Sequence, residues 1–395
     1  MPSAPGAVTM RLFRQSPTPA TAIGDVTLEN QSAPNPDAAR TLAEARARID
    51  ALDSELIRLV SERGELARRI GECKADDDVP VYAPDRESEI LARLSRDNPG
   101  PLPDRVLHAI YREIMSGSLA LERTPRIAFL GPLGSYSHLA ATRKFGAAVE
   151  YHPVGDIGAA FLEIEREHAD FAVVPVENSL GGGVGETLQA LINTSLRVCA
   201  AVNLRIHHNL ISRAPIGEVE RVYSKPEVFE QCRKWLLETN LLSKTIATPS
   251  TSQAVEQAAR EDRAAAIGSS LAAELHDLPI QVAGVEDNPN NVTRFFVMGR
   301  HPARPTGNDK TSLLFTTAHK AGALADVLNA FRAEEVNLTM ITSLPSRDSA
   351  WEYYFFVDAE GHADDSALQR ALAEARRHCQ RLTLLGSYPR PIDLA

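Results

Sequence analysis

From Leu42 to about Lys74 the chain repeats apolar residues in alternating steps of three and four, at Ala45, Ile49, Leu52, Leu56, Leu59, Leu66 and Ile70. That spacing keeps one apolar stripe along a helix, so a single helix is predicted across the segment. At 1.5 Å per residue it is about 50 Å long, more than one small bundle covers. Pro84 suits the first turn of a second helix reaching about Arg96. A third is predicted from about Asp104 to Glu122, with Leu107, Ile110, Ile114 and Leu121 on one stripe. Three helices, the first overlong, predict a dimer that shares its bundle. One position breaks the seam: the step after Leu59 lands on Arg63.

After "RTPR" at 123–126 the period changes. "RIAFL" (126–130) reads as a buried strand, "GPLGSYSH" as a glycine turn into a helix, and "DFAVVPVEN" (170–178) as a strand with a polar end. Strand-like runs at 196–206, 220–224, 264–268 and 280–283 alternate with helical stretches at about 226–238, 251–260 and 269–276, and "RFFVMGR" reads as one more buried strand. This is α/β organisation, in which ligands bind beyond the strand ends. "HPARPTGNDK" (301–310) is a second linker, and the elements beyond it follow the order βαββαβ of a ferredoxin-like α+β domain. The chain is therefore multidomain. Residues 1–40 form a polar, disordered tail, 41–123 an all-α helical domain, 126–300 an α/β domain, and 311–390 an α+β domain.

Composition narrows the function. With 44% hydrophobic and 24% charged residues, the 395-residue chain is an ordinary globular sequence, and its net charge of -10 argues against a general nucleic-acid or membrane-surface role. Four widely separated cysteines without a CxxC pair fit a reducing, cytoplasmic compartment and imply no metal. His207 and His208 are neighbours on a predicted strand and point to opposite faces, so a shared metal ion is not expected.

The helical segment carries candidate chemistry. A lone Arg63 could snorkel to solvent. Lys74, however, lies eleven residues on, within about 20° of the same face at 100° per residue, so two cations line one side of the helix. Arg46, seventeen residues before Arg63, falls about 100° away and cannot easily join the same pocket from the same chain; in a dimer it can serve the partner's pocket. Ser118 and Glu122 stand four apart on the third helix and face one ligand together, while Arg86 and Glu87 open the second.

At this point "ARARIDALDSELIRLVSERGELARRIGECK", "VYAPDRE" and "REIMSGSLALE" resemble the all-helical chorismate mutases over about residues 42–122. By position, the resemblance implies that Arg63 and the partner's Arg46 hold the two carboxylates of chorismate. It also implies that Lys74 contacts the ether oxygen, Glu87 takes the ring hydroxyl, and Arg86 and Ser118 complete the pocket. A Claisen rearrangement to prephenate suits such residues, since it needs no nucleophile or cofactor but a held conformer and cations where negative charge develops. Two positions depart from the family: Ala83 stands where an acidic residue is common, and Glu122 where bacterial members have glutamine. A glutamate donates to the ether oxygen only when protonated.

The polar clusters "VENS" (176–179), "STS" (250–252) and "NVTRF" (291–295) fall at predicted strand ends or turns; singly, each suits a turn or a helix cap, as Ser250 or Thr251 would for the 251–260 helix. Together with "GPLGSYSH" and "YSKPEVFEQC" they resemble prephenate dehydratase over about 126–300. That family has two α/β lobes like a periplasmic binding protein, with substrate in the cleft between them. The resemblance makes Thr293 the residue essential for dehydration, with Arg294 and Phe295 in its signature, and lines the cleft with Glu177, Asn178, Ser179, Ser224, Gln231 and Thr251. Aromatisation drives loss of carbon dioxide and hydroxide, so the protein need only orient the dicarboxylate and offer a hydrogen-bond donor to the leaving oxygen. Lys225 replaces a histidine common in the family.

Residues 311–390 resemble an ACT regulatory domain, the module that binds phenylalanine at a dimer interface in these proteins. "KAGALADVL" keeps its Gly-Ala-Leu turn at Gly322, Ala323 and Leu324; the second signature, Glu-Ser-Arg-Pro in the family, reads "TSLP", retaining Ser343 and Pro345 but placing Thr342 and Leu344 at two charged positions.

The leading reading is a bifunctional enzyme turning chorismate into prephenate and prephenate into phenylpyruvate, as a homodimer or higher homo-oligomer. An amino-acid sensor with a relic helical domain, or an enzyme with one inactive half or a shifted substrate such as arogenate or an amino-substituted chorismate, stays open beside it. Two expectations come from the departures. If burial beside the substrate's charges favours a protonated Glu122, mutase activity falls as pH rises and Glu122→Gln flattens the profile; a flat wild-type rate between about pH 5 and about pH 8.5 overturns this. With two of the four residues of the second signature lost, feedback by phenylalanine is weakened or absent, and strong inhibition at micromolar phenylalanine contradicts it.

Overall fold

The computed structural model describes residues 36–74, 81–346, 352–391 and 393–394. Most of the tail expected over 1–40 lies outside them, but helix α1 (Pro36–Lys74) already begins at Pro36, in the first-turn position that proline tolerates. Residues up to Arg58 and residues from Leu59 onward form two compact units. In the first, α1 carries local ion pairs, Arg40–Glu44 at 3.1 Å and Glu55–Arg58 at 2.7 Å, and exposes Leu42, Ile49, Leu52, Leu56 and Ile57.

In the second unit the rest of α1 meets α2 (Pro84–Asp97) and α3 (Asp104–Glu122), close to the bounds read from periodicity. The backbones of α1 and α3 touch at Gly71, where a Cβ would lie 2.9 Å from Glu122 Cα, so a side chain there would push Glu122 away. Asn98 braces the turn between α2 and α3 by donating to Leu102 O (2.9 Å) and Asp104 Oδ1 (2.7 Å).

Two α/β lobes follow. The first holds a sheet in the order 393–394, 197–205, 292–299, 171–178, 126–130, 150–154, with 182–183 paired to 171–178. The second holds the order 280–282, 209–211, 264–268, 221–224, 245–247. Strands Glu150–Val154 and Thr245–Ala247 lie at sheet edges and are largely exposed, which is why no apolar run marks them. The helix expected over 226–238 is two, Pro226–Gln231 and Arg233–Glu238, because the Asp287 carboxylate accepts from the Lys234 and Trp235 amides and caps the second piece. The chain crosses between lobes at Ile206–His208 and Val285–Asn291, joined by Val285 N to His208 O (2.8 Å) and Ile206 N to Asn291 O (2.8 Å). Among the described residues no helix is long and apolar enough to cross a membrane.

The third sheet runs 338–345, 353–360, 309–317, 379–389, with helices Ala323–Ala333 and Ser366–His378 packed on it. It sits directly on the first lobe: Leu314, Phe356, Leu385 and Tyr388 share a core with Phe296, Met298 and Val198. Strand Cys379–Pro389 comes so close to Val198 that only a glycine fits at Gly386.

An ion pair crosses this junction. Arg294, 8% exposed, donates Nη1 to Asp358 Oδ2; Asp358, fully buried, also accepts from Ser312 Oγ (2.6 Å), which contacts the Tyr388 hydroxyl at 2.8 Å. Burial opposes the Arg294 charge, but Asp358, then Tyr388 and Glu177, favour it more strongly and hold its ionisation above the usual arginine value. Removing one partner of a buried pair leaves a charge uncompensated. Asp358→Asn is expected to destabilise the fold by about 3 to 5 kcal/mol in urea unfolding, whereas Ser312→Ala, which removes one neutral donor, costs about 1 kcal/mol.

Candidate functional site

Arg63, on the last turns of α1, is half-buried and points at α3, where Nη1 reaches Ser118 Oγ and the Ile114 carbonyl (3.5 Å). Ser118 Oγ donates to the same carbonyl at 2.8 Å. Burial lowers the ionisation of Arg63, Tyr111 opposes that, and the charge of Arg86 reinforces it. No carboxylate pairs with Arg63 among the described residues. Arg63 therefore faces, without a carboxylate partner, a cavity of about 1010 Å³ that Arg86, Glu87, Ser118 and Glu122 also line, and the Arg86 charge repels it. An anion placed there would relieve that repulsion.

Glu87 is held firmly. Its Oε2 accepts from Tyr82 Oη (2.6 Å) and pairs with Lys144 Nζ (2.8 Å), and both side chains of the pair are mostly buried. Arg86 turns outward to Glu89 at 2.9 Å. The Lys74 side chain lies outside the described residues. Arg46 belongs to the unit that ends at Arg58 and is exposed on α1.

In the first lobe, strand Val292–Gly299 lies between Arg197–Arg205 and Phe171–Asn178, with Thr293 opposite Asn178. Asn178 Nδ2 donates to Thr293 Oγ1 (2.8 Å) and to Asn291 Oδ1 (2.7 Å), and its Oδ1 accepts the Leu180 and Gly181 amides. Ser179 Oγ accepts from Val292 N at 3.0 Å, tying the same two chain ends together. Because Thr293 Oγ already accepts, its own hydrogen is left to donate, and no acceptor takes it among the described residues. Asn291 opens the "NVTRF" cluster but is not among the residues the resemblance assigns to the site, although its place two residues before Thr293 is a usable signal.

Not every cleft residue expected by resemblance joins this group. Arg294 and Glu177 project to the opposite face of the sheet, 3.2 Å apart, toward Asp358; adjacent strand residues alternate sides, so neither faces with Thr293. Phe295, 1% exposed, packs in the lobe core with Phe129 and Val202. Ser224 is fully buried and donates to Ile267 O (2.7 Å), serving the second lobe's own sheet. Thr251 opens the helix Thr251–Ala259, whose cap is Ser250, accepting from Gln253 N at 3.1 Å. Lys225, half-exposed, pairs loosely with Glu227 at 3.8 Å.

Gln231 does reach the lobe junction, through a histidine that the sequence reading had considered only as a metal ligand. His208 contacts Tyr136 Oη with Nδ1 and Gln231 Oε1 with Nε2, both at 2.7 Å, while His207 pairs with Glu286. Burial lowers the His208 ionisation, with Gln231 and Glu286 opposing, and the Tyr136 hydroxyl also donates to the His207 carbonyl at 2.9 Å. The "GPLGSYSH" turn also grips the second lobe, where Ser269 Oγ donates to Gly134 O at 2.6 Å.

In the third domain Gly322, at φ +81°, starts the helix Ala323–Ala333, a left-handed position that suits glycine. Ala323 is buried and Leu324 packs at the edge of the domain core. Ser343 is exposed on the edge strand Leu338–Pro345, while Leu344 packs against the first-lobe core and the Thr342 side chain lies beside Gly183.

Family models match three stretches of the chain: chorismate mutase type II over residues 45–123, prephenate dehydratase over 127–303, and the ACT domain over 311–377. A bifunctional chorismate mutase/prephenate dehydratase of Aquifex aeolicus is 40% identical over 357 residues, 89% of this chain and 98% of that relative. The chain belongs to the bifunctional chorismate mutase/prephenate dehydratase family. It is an enzyme that joins an isomerase acting on chorismate to a carbon–oxygen lyase acting on prephenate, in phenylalanine biosynthesis. Among solved structures, the prephenate dehydratase of Arthrobacter aurescens in complex with L-Phe is 31% identical, with a TM-score of 0.63 over 67% of this chain and 90% of that one. A structure titled as a novel type of quorum quenching acylase is 29% identical, with a TM-score of 0.62 over 67% of this chain and 97% of that one.

Proposed function

We propose that the two sites described above carry the two reactions of this family, and that the first works only in a dimer. The observation that carries the mutase assignment is the half-buried Arg63, which lines a cavity beside Arg86 and Glu87 and pairs with no carboxylate among the described residues. Arg63 and Arg46 of the partner subunit clamp the chorismate carboxylates, arginine being suited to this by its two-pronged geometry. Lys74 stabilises the negative charge growing on the ether oxygen, helped by Glu122 when protonated. Ser118 fixes the Arg63 fork, Arg86 adds positive potential, and Glu87 accepts the ring hydroxyl. The apolar residues exposed along α1, from Leu42 to Ile70, are the face a second copy of the chain covers.

For the dehydratase, the Thr293 hydroxyl, held as an acceptor by Asn178, donates its own hydrogen to the departing ring hydroxyl as carbon dioxide leaves and the ring becomes aromatic. A threonine is too weak an acid to transfer its proton fully beforehand, so its contribution is orientation and partial charge stabilisation. The substrate's carboxylates are bound from the second-lobe side, with Gln231 and Thr251 the candidate residues. L-phenylalanine is the ligand that suits the third domain, near Gly322, Ala323, Leu324 and Ser343, with feedback weakened by the altered residues Thr342 and Leu344. A cytoplasmic location suits the four unpaired cysteines.

Supplying chorismate and following both products tests the assignment. Thr293→Ala is expected to accumulate prephenate, with dehydration lowered at least about 100-fold, and Arg63→Ala to make neither product, with mutase activity down roughly 100- to 1000-fold. Mixing Arg46→Ala with Arg63→Ala subunits should restore about a quarter of the mutase sites, because half of randomly paired dimers hold one intact pocket. No recovery on mixing overturns the shared pocket, and no turnover by the wild type favours a binding protein.

A further inference from the structure

We propose that Lys144, which belongs to the dehydratase domain, is a positioning residue for the chorismate mutase reaction. This rests on the assignment of Glu87 to the substrate's ring hydroxyl and adds the means by which Glu87 is aimed. Lys144 sits in the last turn of the helix Tyr136–Phe145, and Glu87 in the first turn of α2. Their ion pair, 2.8 Å long, is 16% and 11% exposed at its two side chains, so water does little to screen it.

The tether has a second arm. Tyr82, 5% exposed, is sunk into the dehydratase lobe between Phe145 and Phe171, with ring centroids 5.0 and 5.3 Å away. Its hydroxyl donates to Glu87 Oε2 at 2.6 Å, and Lys144 Nζ lies 5.7 Å from the centre of the Tyr82 ring. Burial, and then the Glu87 charge, push the Tyr82 ionisation well up, so the phenol remains a donor. Both arms hold the same oxygen, Oε2. Oε1 carries no hydrogen bond among the described residues, and Glu87 lines the cavity shared with Arg63, Ser118 and Glu122. A carboxylate pinned through one oxygen keeps the other pointed in one direction, which is what a hydroxyl-accepting group needs. Arg112 adds positive potential beside it: its guanidinium is half-buried, lowered in ionisation by burial, favoured by Glu87 and disfavoured by Arg143.

The helix that carries Lys144 begins at Tyr136, whose hydroxyl contacts His208 at the junction of the two dehydratase lobes. One ten-residue helix thus touches the lobe junction at one end and the mutase carboxylate at the other. The mutase domain borrows part of its orientation from the domain that consumes its product.

Steady-state kinetics of the full-length protein test this. Lys144→Met is expected to lower mutase kcat/KM about tenfold, mainly by raising KM, because a binding contact is loosened rather than a transition-state one removed. Lys144→Arg should recover most of the loss. In a Glu87→Gln background, Lys144→Met should have no further effect, since it acts through the carboxylate. Dehydration of supplied prephenate should be unchanged in all four variants. Multiplying losses in the double variant, a parallel fall in dehydratase activity, or unaltered chorismate kinetics in Lys144→Met would overturn the positioning role while leaving the mutase site standing. A Glu87→Gln variant that binds chorismate like the wild type would instead remove the site assignment, and the proposal with it.

Discussion

A guanidinium that is 8% exposed must have a counter-charge, and the arrangement of this protein turns on where Arg294 finds one. The residue lies next to Thr293 on the strand at the middle of the first lobe's sheet, and its partner, Asp358, comes from a different domain. Alternation along the strand sends the threonine to one face and the arginine to the other. Thr293 is therefore one peptide bond from the residue whose ion pair seats the third domain's sheet.

The same economy of contacts recurs at the mutase pocket. Arg63 and Ser118 are presented by α1 and α3, but the carboxylate of Glu87 is held from the neighbouring domain, by Lys144 and by a tyrosine embedded in that domain's core. Close backbone approach at Gly71 brings Glu122 to the same cavity. Burial makes each charge more consequential, because a low local dielectric strengthens both attraction and repulsion. Burial and the Arg86 charge both disfavour the charged form of Arg63, so an anion entering the cavity would be drawn to it.

Much of this was legible in the chain itself. The apolar spacing marked all three helices, and the charge on the seam at Arg63 singled out the pocket. Thr293, Asn178 and Ser179 were all named before the fold placed them within one hydrogen-bonded group. The residues missed were those whose meaning depends on distant partners. Asn291 reads locally as a loop asparagine, His208 as half of a histidine pair, and Lys144 as a charge at a helix end. Conversely, Arg294, Phe295 and Ser224, adjacent in sequence to site residues or embedded in site motifs, serve the domain junction, the lobe core and the second sheet.

The sequence by itself determined what is periodic or local: the helices, most strands and the motifs of the two catalytic domains. Hydrophobic spacing encodes these directly, because burial selects one face of an element at a time. Only the tertiary structure decided which face of strand Val292–Gly299 meets the regulatory domain, which oxygen of Glu87 stays free, and which lysine holds the other. Those outcomes rest on contacts between residues tens of positions apart, for which no local pattern exists, and on the cost of leaving a buried charge without a counter-charge.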